Sequence, residues 1–296
     1  MAVINFIDDL KEITVQKLSQ LGYPEIPGED LETLLLRYLN VRRRIPPVIS
    51  WTIKKSQELI NKPLSEEIRN GLQQFIIKAE SGQNLKPHIS TKINDPDYKD
   101  LMFYDWEIFH FHLGTEPHPT QPEFVDRTKE LLFAIADIHS RIMYLIDIHP
   151  HKGGWTNQDL LRIIEENWEE LLVRDTVRGI NELDHNPSDN DIDSFRKAGL
   201  VTLVQTPGDR VLSPMGSGMT TDGTSFQNIM EADSIRRSVR EIEDWFIQQR
   251  EKWTIHFQNK YGKDWNDLQF KLKSFEEPVE IEELTTGEFL VYSSLN

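Results

Sequence analysis

An α+β protein is expected from three features of this chain. Apolar residues recur at helical spacing through the first 80 positions, the spacing changes to two between residues 106 and 149, and a helical period returns over a long C-terminal stretch. Hydrophobic residues make up 38% of 296 positions, enough to bury a core and outside the disordered class.

The first helix follows from Ile7, Leu10, Thr14, Leu18 and Leu21, and it ends near Gly22. Pro24 and Pro27 break the chain before Asp30, which caps a second helix through Leu34, Leu35, Tyr38 and Leu39 that stops before Pro46-Pro47. Ser65 opens a third over about 65–80, with Ile68, Leu72, Phe75 and Ile76 on its apolar face. Residues 106–113, 131–138 and 142–149 read as strands of a small antiparallel sheet, with a tight connection at His139-Ser140-Arg141. After Gly153-Gly154, Leu160, Leu161, Ile163, Ile164 and Trp168 predict a helix that packs back on this sheet. The Asp/Asn-rich stretch 184–193 reads as a linker, and 201–205 with 210–213 as a hairpin around Pro207-Gly208-Asp209. A long helix over about 225–258 carries a seam of Ala232, Ile235, Val239, Ile242, Phe246 and Trp253. One more helix near 265–276 and a hairpin of 279–284 with 288–292 complete the expectation. Three regions follow: a mainly helical 1–100, a sheet-plus-helix core at 101–183, and a hairpin and long-helix region at 184–296.

Composition narrows the chemistry. The chain has no cysteine, so disulfides, thiolate metal sites and cysteine nucleophiles are excluded. Residues 1–20 lack the basic and apolar regions of a secretory signal, and no apolar run reaches the roughly 20 residues of a membrane span. Cytoplasmic location, with no membrane partner, is therefore expected. Net charge is −16, yet residues 1–100 carry 14 basic and 14 acidic side chains, so the acidic excess lies beyond residue 100. Such a balance disfavours broad nucleic-acid binding and suits a solvated surface or a docking face for a basic partner.

The sharpest feature is a convergence of polar groups on one sheet face. His110 and His112 alternate with Phe109, Phe111 and Leu113, and Asp147, His149 and His151 share parity on another strand. Histidines satisfied by water on a wet strand face are one reading. A second is acid-base cleavage of RNA, with imidazoles as base and acid and Arg127 or Arg141 steadying charge on phosphorus. A third is a divalent metal held by the histidines with Asp147, which would make the protein a metal-dependent hydrolase.

The segment from Trp106 to Leu113, then Arg127-Thr-Lys-Glu-Leu-Leu-Phe-Ala134, a hairpin, and Tyr144-Leu-Ile-Asp-Ile-His149 resembles the core of the RelE/HigB-like toxin fold over about 50 residues. The resemblance implies a metal-independent endoribonuclease that uses no cofactor, acts in a toxin-antitoxin or phage-defence setting, and is held inactive by an antitoxin. It assigns Arg127 to the phosphate and His149 or His151 to acid-base work, with His110 and His112 completing the candidate catalytic set. A Lys-Lys pair expected after the last strand is represented by Lys152 alone.

Arg42-Arg43-Arg44 offers three guanidiniums that would grip RNA together with Lys152, or else form a solvated helix end. The segment 216–223 reads as a flexible turn, lacking the lysine of a phosphate-binding loop. The helix seam from Ile235 to Trp253 must be buried against something, either the protein's own core or a partner or second copy in a homo-oligomer. A non-catalytic interaction protein is the rival to the nuclease.

Overall fold

The computed structural model describes residues 3–151 and 153–292. In chain order these form α1 (Phe6–Gln20), α2 (Leu31–Arg44), β1 (Thr52–Lys55), α3 (Gln57–Asn61), α4 (Glu66–Glu80), α5 (Leu101–Trp106), β2 (Phe109–His112), β3 (Glu130–Asp137) and β4 (Ile142–Pro150). Then come α6 (Asp159–Trp168), α7 (Asp189–Lys197), β5 (Val204–Gln205), β6 (Val211–Leu212), α8 (Phe226–Gln248), α9 (Arg250–Tyr261), β7 (Phe270–Ser274), β8 (Val279–Glu283) and β9 (Glu288–Tyr292). The class is α+β, with a C-terminal hairpin and a long helix.

Two compact units divide the chain. One takes it as far as Leu39 and again from Asn228 onward; the other is Asn40–Gln227. These units do not follow the expected boundaries after residues 100 and 183, because the first helix and the C-terminal strands share a core. Phe6 meets Phe246 edge-on at 5.8 Å, Phe246 meets Phe270 at 4.7 Å, and Asp9 accepts the Leu272 N–H at 2.8 Å. The seam residues Ala232, Val239, Ile242 and Phe246 are buried within this unit, and Trp253 stacks on Phe246 at 5.2 Å. That uses much of the Ile235–Trp253 seam within the fold, the own-core alternative of those left open for it. The expected continuous helix is broken at Gln249, and the helix expected near 265–276 is instead a short helical turn followed by β7.

The central unit is organised by a four-stranded sheet of order β1-β4-β3-β2. It is mixed rather than antiparallel, since β1 pairs in parallel with β4 from Thr52 opposite Ile142 to Lys55 opposite Leu145. The strand expected from Trp106 is shortened: Asp100 caps α5 by accepting the Phe103 N–H at 3.2 Å, and Glu107 ends that helix in the left-handed region. Phe109 and Phe111 face α4, where Phe75 meets Phe111 at 4.7 Å. Gly71 lets α4 come this close, because a Cβ there would fall 1.8 Å from the Leu113 carbonyl oxygen.

The opposite face carries Leu131, Phe133 and Ile135, and α6 covers it with Leu160, Leu161, Ile163, Ile164 and Trp168. A bulge in β4 shapes this face. Phe133 opposes Asp147 while Ala134 opposes Leu145, so Ile146 is the extra residue. The parity switch places Tyr144 against Trp168 at 5.0 Å on one side of the bulge and Asp147 and His149 on the same face beyond it. The stretch read as a linker, 184–193, contains Ser188, which caps α7 with a reciprocal bond from Asp191. The hairpin at 201–213 keeps only Val204 opposite Leu212 and Gln205 opposite Val211 as paired strand. Among the described residues no helix is long and apolar enough to cross a membrane.

Candidate functional site

The sheet register gathers the predicted residues at one end of the α6 face. His110 opposes Phe133, which opposes Asp147; His112 opposes Leu131, which opposes His149. Directly opposed residues share a face, so four of the predicted polar groups stand in two rows. His151 extends the second strand, its N–H donating to the Lys129 carbonyl at 2.8 Å. Of the three readings of this face, water-satisfied histidines do not describe its centre, where His110, His112 and Asp147 are all buried.

Phe133 and Leu131 divide the groups in two. On the outer side, His112 is 6.4 Å from His151, and Trp155 touches both His110 at 4.4 Å and His151 at 5.1 Å. Trp155 is held there by a turn that only glycine permits, because a Cβ at Gly154 would sit 2.8 Å from the Phe133 ring. Thr128 donates its N–H to His112 Nδ1 at 3.3 Å. Burial, reinforced by the Arg127 cation and neighbouring histidines, pushes His112 down to about 3. It is therefore a neutral ring at physiological pH. Burial also lowers His110, against the pull of Asp100. His88, from the loop after α4, donates through Nδ1 to the His112 carbonyl at 2.8 Å and faces Lys78 at 3.1 Å, and burial pushes it down to about 4.

On the inner side, Lys62 reaches from the end of α3 to Asp147 Oδ2 at 2.6 Å. His149 Nε2 lies 3.0 Å from the same oxygen, in charge contact but off the ring's N–H axis. Burial acts to raise Asp147, but His149 and the Lys62 ammonium outweigh it and hold the carboxyl below its usual range. Asn157 lies 3.5 Å from His149 Nδ1.

Arg127 precedes β3. Burial draws its guanidinium below the usual arginine value, and Nη1 has no partner among the described residues. It still carries its charge at neutral pH. Eight buried side-chain atoms among the described residues lack a hydrogen bond, and four of them belong to His110, Arg127, Asp147 and His149. Buried polar groups are normally satisfied, so this concentration marks the sheet end as a place built to receive something polar.

Other expectations fare differently. Arg44 is buried, donating to the Asn40 and Asp95 carbonyls at 3.1 Å each. Arg43 bonds Ser225 and Gln227 and lies 3.6 Å from Glu107. Arg42 alone of the three is exposed, so the triplet forms no common RNA-gripping surface. Arg141 sits in the left-handed hairpin turn at the far end of β4 from His149. Lys152 lies outside the described residues. No group of three or more histidine or carboxylate side chains among the described residues is placed to hold a metal ion, because Phe133 and Leu131 separate the two clusters. Sequence reasoning missed Lys62, His88, Asp100 and Trp155. Only Asp100 had a signal, as a helix-capping aspartate ahead of Leu101-Met102-Phe103.

No family model matches this chain, and no curated protein or solved structure matches it either. The functional reading therefore rests on the geometry of this sheet end.

Proposed function

We propose that the sheet end is a metal-independent acid-base site that cleaves RNA. The observation that carries this reading is the combination of a half-buried His149 in charge contact with Asp147 and the Arg127 Nη1 atom buried without a hydrogen-bond partner at one end of the same strands. RNA is the fitting substrate class because it brings its own nucleophile, the 2′-hydroxyl, and the cluster offers neither a metal-ligand group nor an activated serine or cysteine.

In this mechanism His149, held by Asp147, takes the proton from the 2′-hydroxyl as its oxygen attacks the adjacent phosphorus. His151, exposed just beyond the end of β4 on the side of His112 and Trp155, gives a proton to the departing 5′-oxygen. Arg127 stabilises the extra charge on the non-bridging oxygens, leaving a 2′,3′-cyclic phosphate and a free 5′-hydroxyl. Lys62 keeps Asp147 ionised, and His112 and His110 serve as neutral walls rather than proton donors. On this reading the protein works in the cytoplasm as a toxin-like or phage-defence nuclease of RelE/HigB type, restrained by an antitoxin-like protein partner.

The test is incubation of purified protein with total RNA, with and without chelator. Cleavage should persist in chelator and fall about a hundredfold or more in His149→Ala and in Arg127→Ala. Full cleavage by both variants would sink the assignment. Cleavage abolished by chelator would replace it with metal chemistry, and intact RNA throughout would leave a binding protein.

A further inference from the structure

A strand at the open edge of a sheet presents unpaired N–H and C=O groups that template pairing with another chain. This protein deals with its sheet edges one by one. In the central sheet, β1 carries exposed Lys54 and Lys55 at one edge, and every residue of β2 at the other is buried. β5 is sealed by Asn186, which accepts the Gln205 N–H and donates to the Gln205 carbonyl, each at 2.9 Å. β6 is sealed by a bridge between Thr176 and Leu212. In the terminal sheet, of order β7-β8-β9, Val3 bridges Gln269 beside β7 and its carbonyl accepts the Phe270 N–H at 3.0 Å. Among the described residues, β9 alone has neither a covering segment nor a guarding lysine, proline or bulge.

β9 is also apolar on the face it shows to solvent. Glu288 and Tyr292 turn toward the helices, where Glu288 meets His256 and Lys260 and the Tyr292 ring meets Trp245 at 4.9 Å. Alternation sends Phe289 and Val291 to the other face, and they are 54% and 65% exposed. Their neighbours on β8 are Glu282 and Glu280, and Lys273 pairs with Glu282 at 3.2 Å. The charges of this face lie one strand back from the edge, so the edge itself is hydrophobic.

We propose that β9 pairs antiparallel with β9 of a second copy of this chain, joining two three-stranded sheets into one of six strands. The strand is self-complementary about Leu290. A two-fold axis there sets Phe289 opposite the second copy's Val291 twice over, an aromatic and β-branched combination favoured across strands, and sets Glu288 opposite Tyr292 rather than another carboxylate. Moving the axis to Phe289 would set Val291 against Gly287, and moving it to Val291 would carry Phe289 past the end of the strand. A half-step would oppose residues of different faces. Charge agrees with this register: Glu282 of one copy and Glu280 of the other lie three strand spacings apart, about 14 Å, beyond the screening length at physiological salt. The two-fold pairing closes on itself and uses up both open edges. It is separate from the Ile235–Trp253 seam and stands independently of the RNA-cleaving reading.

Sedimentation equilibrium of the full chain, up to about 200 μM, tests the pairing. A monomer–dimer equilibrium with a micromolar dissociation constant is expected, since a five-residue strand pair buries less than a standard interface. Phe289→Lys and Val291→Glu each change an exposed side chain, so melting curves should stay unchanged while dimerisation weakens about tenfold or more. Mixed in equal amounts, the two variants should recover association as a heterodimer, because the register sets the two introduced charges opposite one another. A monomer at every concentration, a dimer indifferent to both variants, or a mixture no more associated than its components would each overturn the proposal. So would open-ended assembly, which a closed two-fold pairing forbids.

Discussion

The same three residue types meet twice in this molecule. In the central unit Lys62 and His149 approach one oxygen of Asp147 at 2.6 and 3.0 Å; in the terminal unit Lys260 and His256 approach one oxygen of Glu288 at 2.9 and 3.0 Å. Distances do not distinguish them, but surroundings do. The Asp147 side chain is 5% exposed and its Oδ1 has no partner, whereas Glu288 is 15% exposed and both its oxygens meet His256. Among the described residues no unpartnered buried arginine atom accompanies Glu288, while Arg127 stands at the end of the Asp147 sheet. A lysine-carboxylate-histidine contact is thus not in itself a sign of catalysis. Unsatisfied atoms of the constellation itself and a buried arginine atom nearby make one copy a candidate site; the other has its carboxylate fully engaged, with Trp253 Nε1, whose ring meets His256 at 6.4 Å, as the unsatisfied atom nearby.

The largest contrast should be in chemistry. Asp147→Asn should lower RNA cleavage about a hundredfold, by leaving His149 without its charge partner, while Glu288→Gln leaves the rate unchanged. Rate measurements under single-turnover conditions read this directly. Equal losses in both variants would show that the two constellations differ only in burial, and would withdraw the site.

The comparison also shows what could be read beforehand. Strand alternation alone placed His110 with His112 and Asp147 with His149, because a period of two fixes which side chains share a face. It could not show which face α6 covers, since burial of a row depends on the side to which that helix returns. Lys62 is 85 residues from Asp147 in sequence and arrives through β1, a four-residue strand with mostly exposed side chains and no alternating pattern. The Ile146 bulge leaves no mark in the sequence either. In the terminal unit, Phe270 and Leu272 alternate as a strand should, but five residues are too short a signal to separate strand from the helix the sequence predicts there. Arg43 and Arg44 look like a surface cluster until their carbonyl and side-chain partners are known.

A second pair sharpens the contrast in stability. Glu283 has no exposed surface, yet every bond it needs is made: Gln269 and Thr286 donate N–H groups at 2.8 Å, and the Thr285 and Thr286 hydroxyls donate at 2.9 and 2.7 Å. Burial tends to raise its carboxyl, but these donors prevail and hold it below its usual value. Glu283→Ala strands three backbone donors, the N–H groups of Gln269, Thr285 and Thr286, and should destabilise the protein by about 2 kcal/mol in urea unfolding, with cleavage per folded molecule unaltered. Because its folded value is depressed, Glu283 contributes stability above its usual pH 4.5 that is lost as pH falls through the folded value. A cost below the error of the measurement would mean that satisfied burial counts for little here.

His88 and His112 give the next effect, with the sign of groups kept neutral in the fold. Their folded values, about 4 and about 3, lie below the usual 6.5, so an unfolded chain takes up protons that the native protein refuses. Stability is full above pH 6.5 and declines below it, toward pH 4 for His88 and pH 3 for His112, by at most about 1.4 kcal/mol per pH unit for each. Urea midpoints at pH 7 and pH 5 should therefore diverge more in wild type than in His112→Gln. Parallel pH dependence in the two proteins would show that His112 titrates normally.

The smallest effect belongs to the terminal brace. Glu288 joins β9 to α9 through His256 and Lys260, but His256 is 37% exposed and Lys260 51%, so water and salt screen both contacts. Holding two long side chains against one carboxylate also gives up rotamer freedom, which offsets most of the attraction. Glu288→Gln retains a hydrogen-bond acceptor for either partner and removes only the charge. The expected loss is under about 1 kcal/mol at low salt, shrinking toward zero in 1 M sodium chloride. Asp147→Asn, measured alongside, should show a loss that salt leaves largely intact, since the Asp147 carboxylate is only 5% exposed. Matching salt dependence in the two variants would erase the distinction between brace and site on physical grounds, independently of any assay of activity.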